Sequence, residues 1–207
     1  IVSMLPTAHM YGMMFEFLFE MTVGAHVHFL TRIPSPRIIM EAFAAIKPDV
    51  IISVPLIIEK IYKQKLQPIL NKTSMKVLLK LPVIDQHIQS KIKDELVKTF
   101  GGKFYEIIVG GAAFNREADE FFNKIGFPYT VGYGMTECGP LISYKGWNHP
   151  ALKNDAGIIE PDIEVRIDSS KPAEIPGEIQ VRGNHVTSGY YKNPEATAAS
   201  LTEDGWF

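Results

Sequence analysis

The chain has 207 residues, 46% of them hydrophobic and 21% charged, which supports a real core and argues against disorder. A net charge of −2, from 21 basic and 23 acidic residues, lacks the basic excess of a nucleic-acid-binding protein. The single cysteine, Cys138, can form neither an internal disulfide nor a zinc cluster, which suits a reducing cytosol, and no stretch reaches the ~18 apolar residues of a spanning helix.

In chain order, Leu5-Pro6 and His9 precede a Met- and Phe-rich segment, Met10 to Met21, predicted as a buried helix. Ala25 to Phe29 reads as a strand. Between Pro36 and Lys47 the apolar residues Ile39, Ala42, Phe43 and Ile46 carry helical spacing. Val50 to Val54 is a β-branched strand, and Pro55 is suited to open the next helix. Ile88, Ile92, Leu96 and Phe100 predict a helix over 88–100, and Phe104 to Val109 a strand that ends in the turn Gly110-Gly111-Ala112-Ala113. Arg116 to Ile125 reads as a helix with Ala118, Phe121, Phe122 and Ile125 on its apolar side, followed by the strand Pro128 to Val131. Strand–helix alternation predicts an α/β fold, a mostly parallel sheet flanked by helices.

After Lys145 the texture changes. Ile163, Val165 and Ile167 alternate with Glu164, Arg166 and Asp168, and Ile179 and Val181 with Gln180 and Arg182, the pattern of an antiparallel sheet solvated on one face. The expected division is therefore an α/β portion over 1–145 and a smaller antiparallel β subdomain over 146–207. Charge is also uneven: Lys60 to Lys103 holds ten lysines and three acids, leaving an excess of nine negative charges elsewhere. Residues 60–103 read as a solvated helical insertion, with peripheral contact to an anionic membrane surface as the alternative.

The densest chemistry lies at Gly132-Tyr133-Gly134-Met135-Thr136-Glu137, after the strand. Two glycines let the backbone turn and a ligand approach, the tyrosine offers a ring face, the threonine a phosphate donor and the glutamate a hard oxygen ligand. A plain strand-to-loop turn is the competing reading of this hexamer alone. The other histidines, His26, His28, His87, His149 and His185, show no convincing metal-ligand spacing.

Several further segments join the hexamer in resembling the adenylate-forming (AMP-binding) superfamily of acyl-CoA synthetases, peptide-synthetase adenylation domains and luciferases. They are Gly177 to Gly183, Gly189-Tyr190-Tyr191-Lys192-Asn193-Pro194-Glu195-Ala196-Thr197, Leu201 to Phe207, Leu5-Pro6 with His9, and Gly110 to Ala113, in the family's order. Val54-Pro55 with Glu59-Lys60-Ile61-Tyr62 is similar to the long-chain fatty acyl-CoA ligases, and the His9 region lacks the Phe-Asp pair of amino-acid-activating relatives.

The resemblance implies a piece of the large N-terminal domain of a cytoplasmic ligase, with ATP/AMP, magnesium (Mg2+) and coenzyme A as cofactors or co-substrates. A fatty acid would attack the α-phosphorus of ATP, releasing pyrophosphate, and coenzyme A would then take the acyl group. Glu137 would ligate magnesium and Thr136 would bond the α-phosphate. Tyr133 would stack on adenine, with Gly132, Gly134 and Met135 completing that strand end. Gly110, Gly111 and Ala112 would wall the purine, and His9 would line the carboxylate pocket. Tyr190 and Tyr191 read as packing residues of the β subdomain. The family's phosphate loop, ribose-binding aspartate and C-terminal lysine fall outside these residues, so this chain alone is expected not to make acyl-CoA. The alternatives are an adenylation domain for amino or aryl acids, and a binding module without catalysis.

Overall fold

In the computed structural model, which describes residues 1–72, 82–146 and 156–207, β1 (Val2–Ser3) pairs in parallel with β2 (His28–Phe29). Between them runs α1 (10–22), α-helical at Met10–Met13 and Phe19–Thr22 with a π-helical turn at Met14–Leu18. This segment is helical as expected but not buried. Phe17, Leu18, Phe19, Met21 and Val23 are exposed, and the inward face carries Tyr11, Gly12, Glu16 and Glu20. Glu16 goes inward because β1 and the two residues after it present it with donors. Met4 N and Leu5 N donate to the Glu16 carboxylate at 2.9–3.1 Å, and Ser3 Oγ at 3.0 Å.

α2 (Pro36–Ile46) starts where Ser35 Oγ accepts from Ile38 N, with Pro36 in the first turn, and ends at Lys47 in the left-handed region with φ 53°. Its buried residues are Ile39 and Phe43, as the spacing requires. β3 (Val50–Ser53) then leads into α3 (55–70), opened by Pro55 and carrying a π-helical turn at Tyr62–Leu66. α4 (Pro82–Thr99) precedes β4 (Glu106–Val109), and α5 (Arg116–Lys124) precedes β5 (Tyr129–Gly134). The lysine-rich stretch of 60–103 includes residues 73–81, which lie outside the described residues. No helix among the described residues is long and apolar enough to cross a membrane.

β6 (Leu141–Lys145) and β7 (Ile158–Ile159) complete a five-stranded sheet in the order β3-β4-β5-β6-β7. The β3-β4 and β4-β5 pairs are parallel, and the β5-β6 and β6-β7 pairs antiparallel. β8 (Glu164–Asp168) and β9 (Glu178–Arg182) form a separate antiparallel pair, and α6 (Pro194–Ser200) follows. The expected α/β architecture, a parallel-rich sheet with a small antiparallel one, is what the chain adopts.

The two faces of the larger sheet differ in kind. Ile51, Ile107, Val109 and Tyr129 join the main core with Phe43, Phe100, Phe104, Phe122 and Phe127. Phe100, Phe122 and Phe127 are at most 1% exposed, and their rings pack at centroid distances of 5.0–6.0 Å. Register puts Ile107 beside Tyr129 and Ile108 beside Thr130. Strand alternation therefore turns Glu106, Ile108, Thr130 and Gly132 to the other face, away from this aromatic core. That second face holds the site.

Candidate functional site

A cavity of about 770 Å³ is lined by residues at the start of α1, by β4 and β5 and the turns after them, and by Leu141, Tyr144, Gly146, Ile158 and Glu160. The helix reaches it through His9, Tyr11 and Phe15, and β4 through Glu106, Ile108, Val109, Gly110 and Gly111. β5 and the turn after it contribute Thr130, Gly132, Tyr133, Gly134, Met135, Thr136 and Glu137. Residues widely separated in sequence are thus brought to one wall, and every residue singled out for the site lines it except Ala112. Ala112 is exposed and stands outside the lining, because the chain turns away at Gly111, where φ is +85°.

The sequence places the turn at Gly132; the structure places it later. Gly132, Tyr133 and Gly134 are strand residues, paired with Tyr144, Ser143 and Leu141 of β6 across a bulge at Tyr133/Gly134. The turn is a short 3₁₀ segment, Thr136–Cys138, closed by Gly139 at φ 73°. The glycines answer to close approach of the next strand. A Cβ on Gly134 would stand 1.8 Å from Pro140 O, and one on Gly132 3.1 Å from Leu141 Cδ1. Gly110 has a similar explanation: its Cβ would meet the Tyr11 ring at 3.1–3.3 Å.

Tyr11 is the largest contributor that sequence reasoning missed. Its hydroxyl lies 3.1 Å from both Ser53 O and Ile108 O, the carbonyls of two strand ends. Burial, with the Glu16 charge nearby, pushes its phenol far above the ordinary value, so it stays a donor. Two residues earlier, His9 caps α1: Nδ1 accepts from Tyr11 N at 3.1 Å, which leaves Nε2 to carry the proton of the neutral ring. Glu106 and Thr130 were also missed. Thr130 Oγ1 donates to Glu106 Oε1, so the two polar groups on the cavity wall satisfy each other. Alternation alone could have placed both on the face opposite Ile107.

Tyr133 lines the cavity and also packs against a second, smaller core of Cys138, Ile142 and Val181. Thr136 is exposed and Glu137 half-buried. Glu137 is held at two points: Thr187 N donates to its backbone O at 2.7 Å, and Tyr190 Oη donates to Oε1 at 3.0 Å. Tyr190 is therefore bonded to the site, contrary to the expectation of a packing residue, while Tyr191 is 88% exposed. The bond to Glu137 raises the Tyr190 phenol and keeps its proton in place. Cys138, next along, is fully buried, and burial, with the Glu137 charge beside it, pushes its thiol up to about 11. Asp204 pairs with Arg166 at 3.0 Å, and the Trp206 ring lies against the Arg166 and Arg182 guanidiniums, so these residues tie the end of the chain to β8 and β9.

Chemically, the arrangement offers a cavity of mixed character: aromatic rings and aliphatic side chains together with a hydroxyl and a carboxylate at the turn, a histidine at a helix start, a carboxylate–hydroxyl pair on the sheet, and Glu160. Among the described residues no three His, Cys, Asp or Glu side chains group to enclose a metal ion.

Residues 1–191 match the family described as AMP-binding enzyme. The chain is 29% identical to long-chain-fatty-acid–CoA ligase 2 of Schizosaccharomyces pombe, aligned over 100% of this chain and 34% of that protein. It is 36% identical to 4-coumarate–CoA ligase-like 6 of Oryza sativa over 48% of this chain and 18% of that one. The fold is that of o-succinylbenzoate CoA synthetase from Bacillus subtilis, solved with the acyl-adenylate intermediate OSB-AMP. The TM-score is 0.71 at 21% identity, covering 100% of this chain and 36% of that one. The chain thus spans about a third of the length of the relatives it matches end to end.

Proposed function

Because the chain belongs to the AMP-binding enzyme family, we propose that the whole protein is an AMP-forming acid–CoA ligase acting on a long-chain fatty acid. The observation that carries this reading is the convergence of His9, Gly110, Gly111 and the Gly132–Glu137 strand end on one cavity. A second cavity of about 580 Å³ on the same sheet face shares Phe15, Glu106 and Ile108 with the first; its lining is mixed, with Phe19, Val23, Ile46 and Ile52 beside Glu20, His26, His28, Lys47, Asp49 and Lys103. The Val54-Pro55 and Glu59 to Tyr62 segment, and the 29% identity over the whole chain to a long-chain-fatty-acid–CoA ligase, favour an acid with a long hydrocarbon chain over an amino-bearing one.

In this reading the nucleotide lies along the ends of β4 and β5. Gly110, Gly111, Gly132 and Gly134 line the wall where the purine would lie, and Tyr133 offers its ring. Thr136 donates its hydroxyl to the α-phosphate, and being exposed on a short turn it reaches the ligand without displacing core residues. His9 stands at the acid's end of the cavity, with Nε2–H available to the carboxylate.

The donor set fits magnesium: one half-buried carboxylate, Glu137, with a hydroxyl beside it, is what an ion that keeps waters and substrate phosphates asks of a protein. Bound there, magnesium would neutralise the phosphate charge that two approaching anions build up. The chain's own part is to hold Glu137 in place and to bring the carboxylate and the phosphate into line.

Acid-dependent exchange of pyrophosphate into ATP by the whole protein tests the reading. Glu137→Ala should lower exchange by ~10²–10³, the usual loss on removing one preorganised charge-stabilising group. Palmitate should support more exchange than acetate, benzoate or amino acids. A variant within a few-fold of wild type removes Glu137 from the site, and a preference for benzoate or an amino acid overturns the fatty-acid assignment.

A further inference from the structure

The proposed ligand Glu137 belongs to a larger hydrogen-bonded unit that crosses 53 residues of sequence. Tyr190 Oη donates to Glu137 Oε1 at 3.0 Å, while Thr187 N donates to Glu137 O at 2.7 Å. Side chain and backbone of Glu137 are therefore gripped by one segment, residues 187–190. That segment is itself fixed. Thr187 Oγ1 and the Gly189 backbone bond each other in both directions, at 3.1 and 3.2 Å. Tyr190 N donates to Thr197 Oγ1 at 2.9 Å, and Thr197 Oγ1 donates to Asn193 O at 2.9 Å. Gly189, at φ +132°, has no room for a side chain, since a Cβ would stand 2.5 Å from Thr197 Cγ2. The phenol is thus aimed from the first turn of α6 through a chain of short contacts.

Resting on the assignment of Glu137 as the metal-binding carboxylate, we infer that Tyr190 is a positioning residue that fixes which carboxylate oxygen Glu137 presents to the metal-bound nucleotide. A carboxylate on a free side chain samples several rotamers, and magnesium demands near-ideal octahedral geometry. With Oε1 engaged by Tyr190, Oε2 is left for the ion, and the backbone bond from Thr187 keeps the Glu137 Cα from drifting. Partners one step removed from a metal typically account for a 10–100-fold share of its affinity. Tyr190 is 37% exposed, so replacing its hydroxyl leaves the core untouched.

The test uses the whole protein with Tyr190→Phe and Glu137→Ala, and reads binding apart from turnover. Titration calorimetry without acid substrate gives Kd for ATP with saturating magnesium and Kd for AMP without metal. Tyr190→Phe should weaken magnesium–ATP about 10-fold, leave metal-free AMP unchanged, and raise the magnesium concentration giving half-maximal pyrophosphate exchange. Glu137→Ala should remove the gain in ATP affinity that magnesium confers. If Tyr190→Phe leaves the magnesium–ATP Kd at the wild-type value, or weakens AMP equally, Tyr190 does not position the carboxylate. If Glu137→Ala keeps the magnesium-dependent gain, the metal assignment itself fails, whatever Tyr190 does.

Discussion

The two glycines of the Gly132–Glu137 segment should respond very differently to the same added methyl group. At Gly134 the Cβ would sit 1.8 Å from Pro140 O, 2.8 Å from Pro140 C and 3.0 Å from Leu141 Cα. All three are backbone atoms, so no rotamer change relieves the clash and the strands must part by more than an ångström. At Gly132 the nearest atom is Leu141 Cδ1 at 3.1 Å, the far end of a side chain that can swing away. Overpacking of the first kind costs about 1–3 kcal/mol. For Gly132→Ala, the lost unfolded-state entropy returns ~0.4–1 kcal/mol and offsets the small adjustment of Leu141. Parting β5 from β6 at the bulge also displaces Thr136 and Glu137, and an error of ~1 Å at reacting groups can lower turnover about 10²-fold. Thermal unfolding and pyrophosphate exchange of the two variants, side by side, provide the check. Gly134→Ala should melt several degrees lower than Gly132→Ala and lose most exchange. Equal melting temperatures would refute the argument that backbone approach, rather than ligand approach, dictates Gly134.

Two further outcomes follow from buried groups. Cys138 is fully buried with its thiol raised to about 11, so in native protein at pH 8 its reaction with a thiol reagent should await unfolding; labelling at the rate of a free thiol would contradict its placement. Burial raises Glu16 above the ordinary carboxylate range, against the pull of the Met4, Leu5 and Ser3 donors. The folded state then holds the Glu16 proton to higher pH than the unfolded chain. Its contribution is therefore greatest below the ordinary carboxylate pKa and is lost as pH rises through the raised value. Glu16→Gln removes that titration, so the melting-temperature advantage of wild type over the variant should shrink from pH 4.5 to pH 7.5; a widening gap would reverse the sign.

Much of the fold was legible where a local rule had no rival. Pro36 with Ile39 and Phe43 could only start and face a helix one way, and the β-branched run Val50 to Val54 ahead of Pro55 could only be a strand leading into a helix. Of the cavity lining, Thr136 and Glu137 stood out because they lie consecutively, and His9, Gly110 and Gly111 only through the family resemblance. The site was not legible where a distant partner decides conformation. Gly132 and Gly134 read as a turn because nothing local shows that Leu141 and Tyr144 return to pair with them. Tyr11 looked like one aromatic among many until the ends of β3 and β4 placed two carbonyls at its hydroxyl. Tyr190 reaches Glu137 across 53 residues, a separation no periodicity reports.

The π-helical turn in α1 shows how one short irregularity serves both fold and site. Phe15 and Glu16 are neighbours in it, yet Phe15 lines the cavity while Glu16 is buried against β1, bonded to Ser3, Met4 and Leu5. Wider turns of this kind recur at functional sites because the extra residue re-aims the side chains around it. Here the re-aiming ties down both ends of the loop that carries His9. Its start, at Met4 and Leu5, is held by Glu16, and its end is held where His9 Nδ1 accepts from Tyr11 N. Both restraints come from the same helix, so the loop cannot shift relative to α1 without breaking a buried carboxylate's bonds. His9 is thereby referenced to the helix, and through the Tyr11 hydroxyl the helix is referenced to the ends of β3 and β4. The histidine and the glycine turn at Gly110-Gly111, both in the cavity lining, are held in register by one tyrosine and one glutamate.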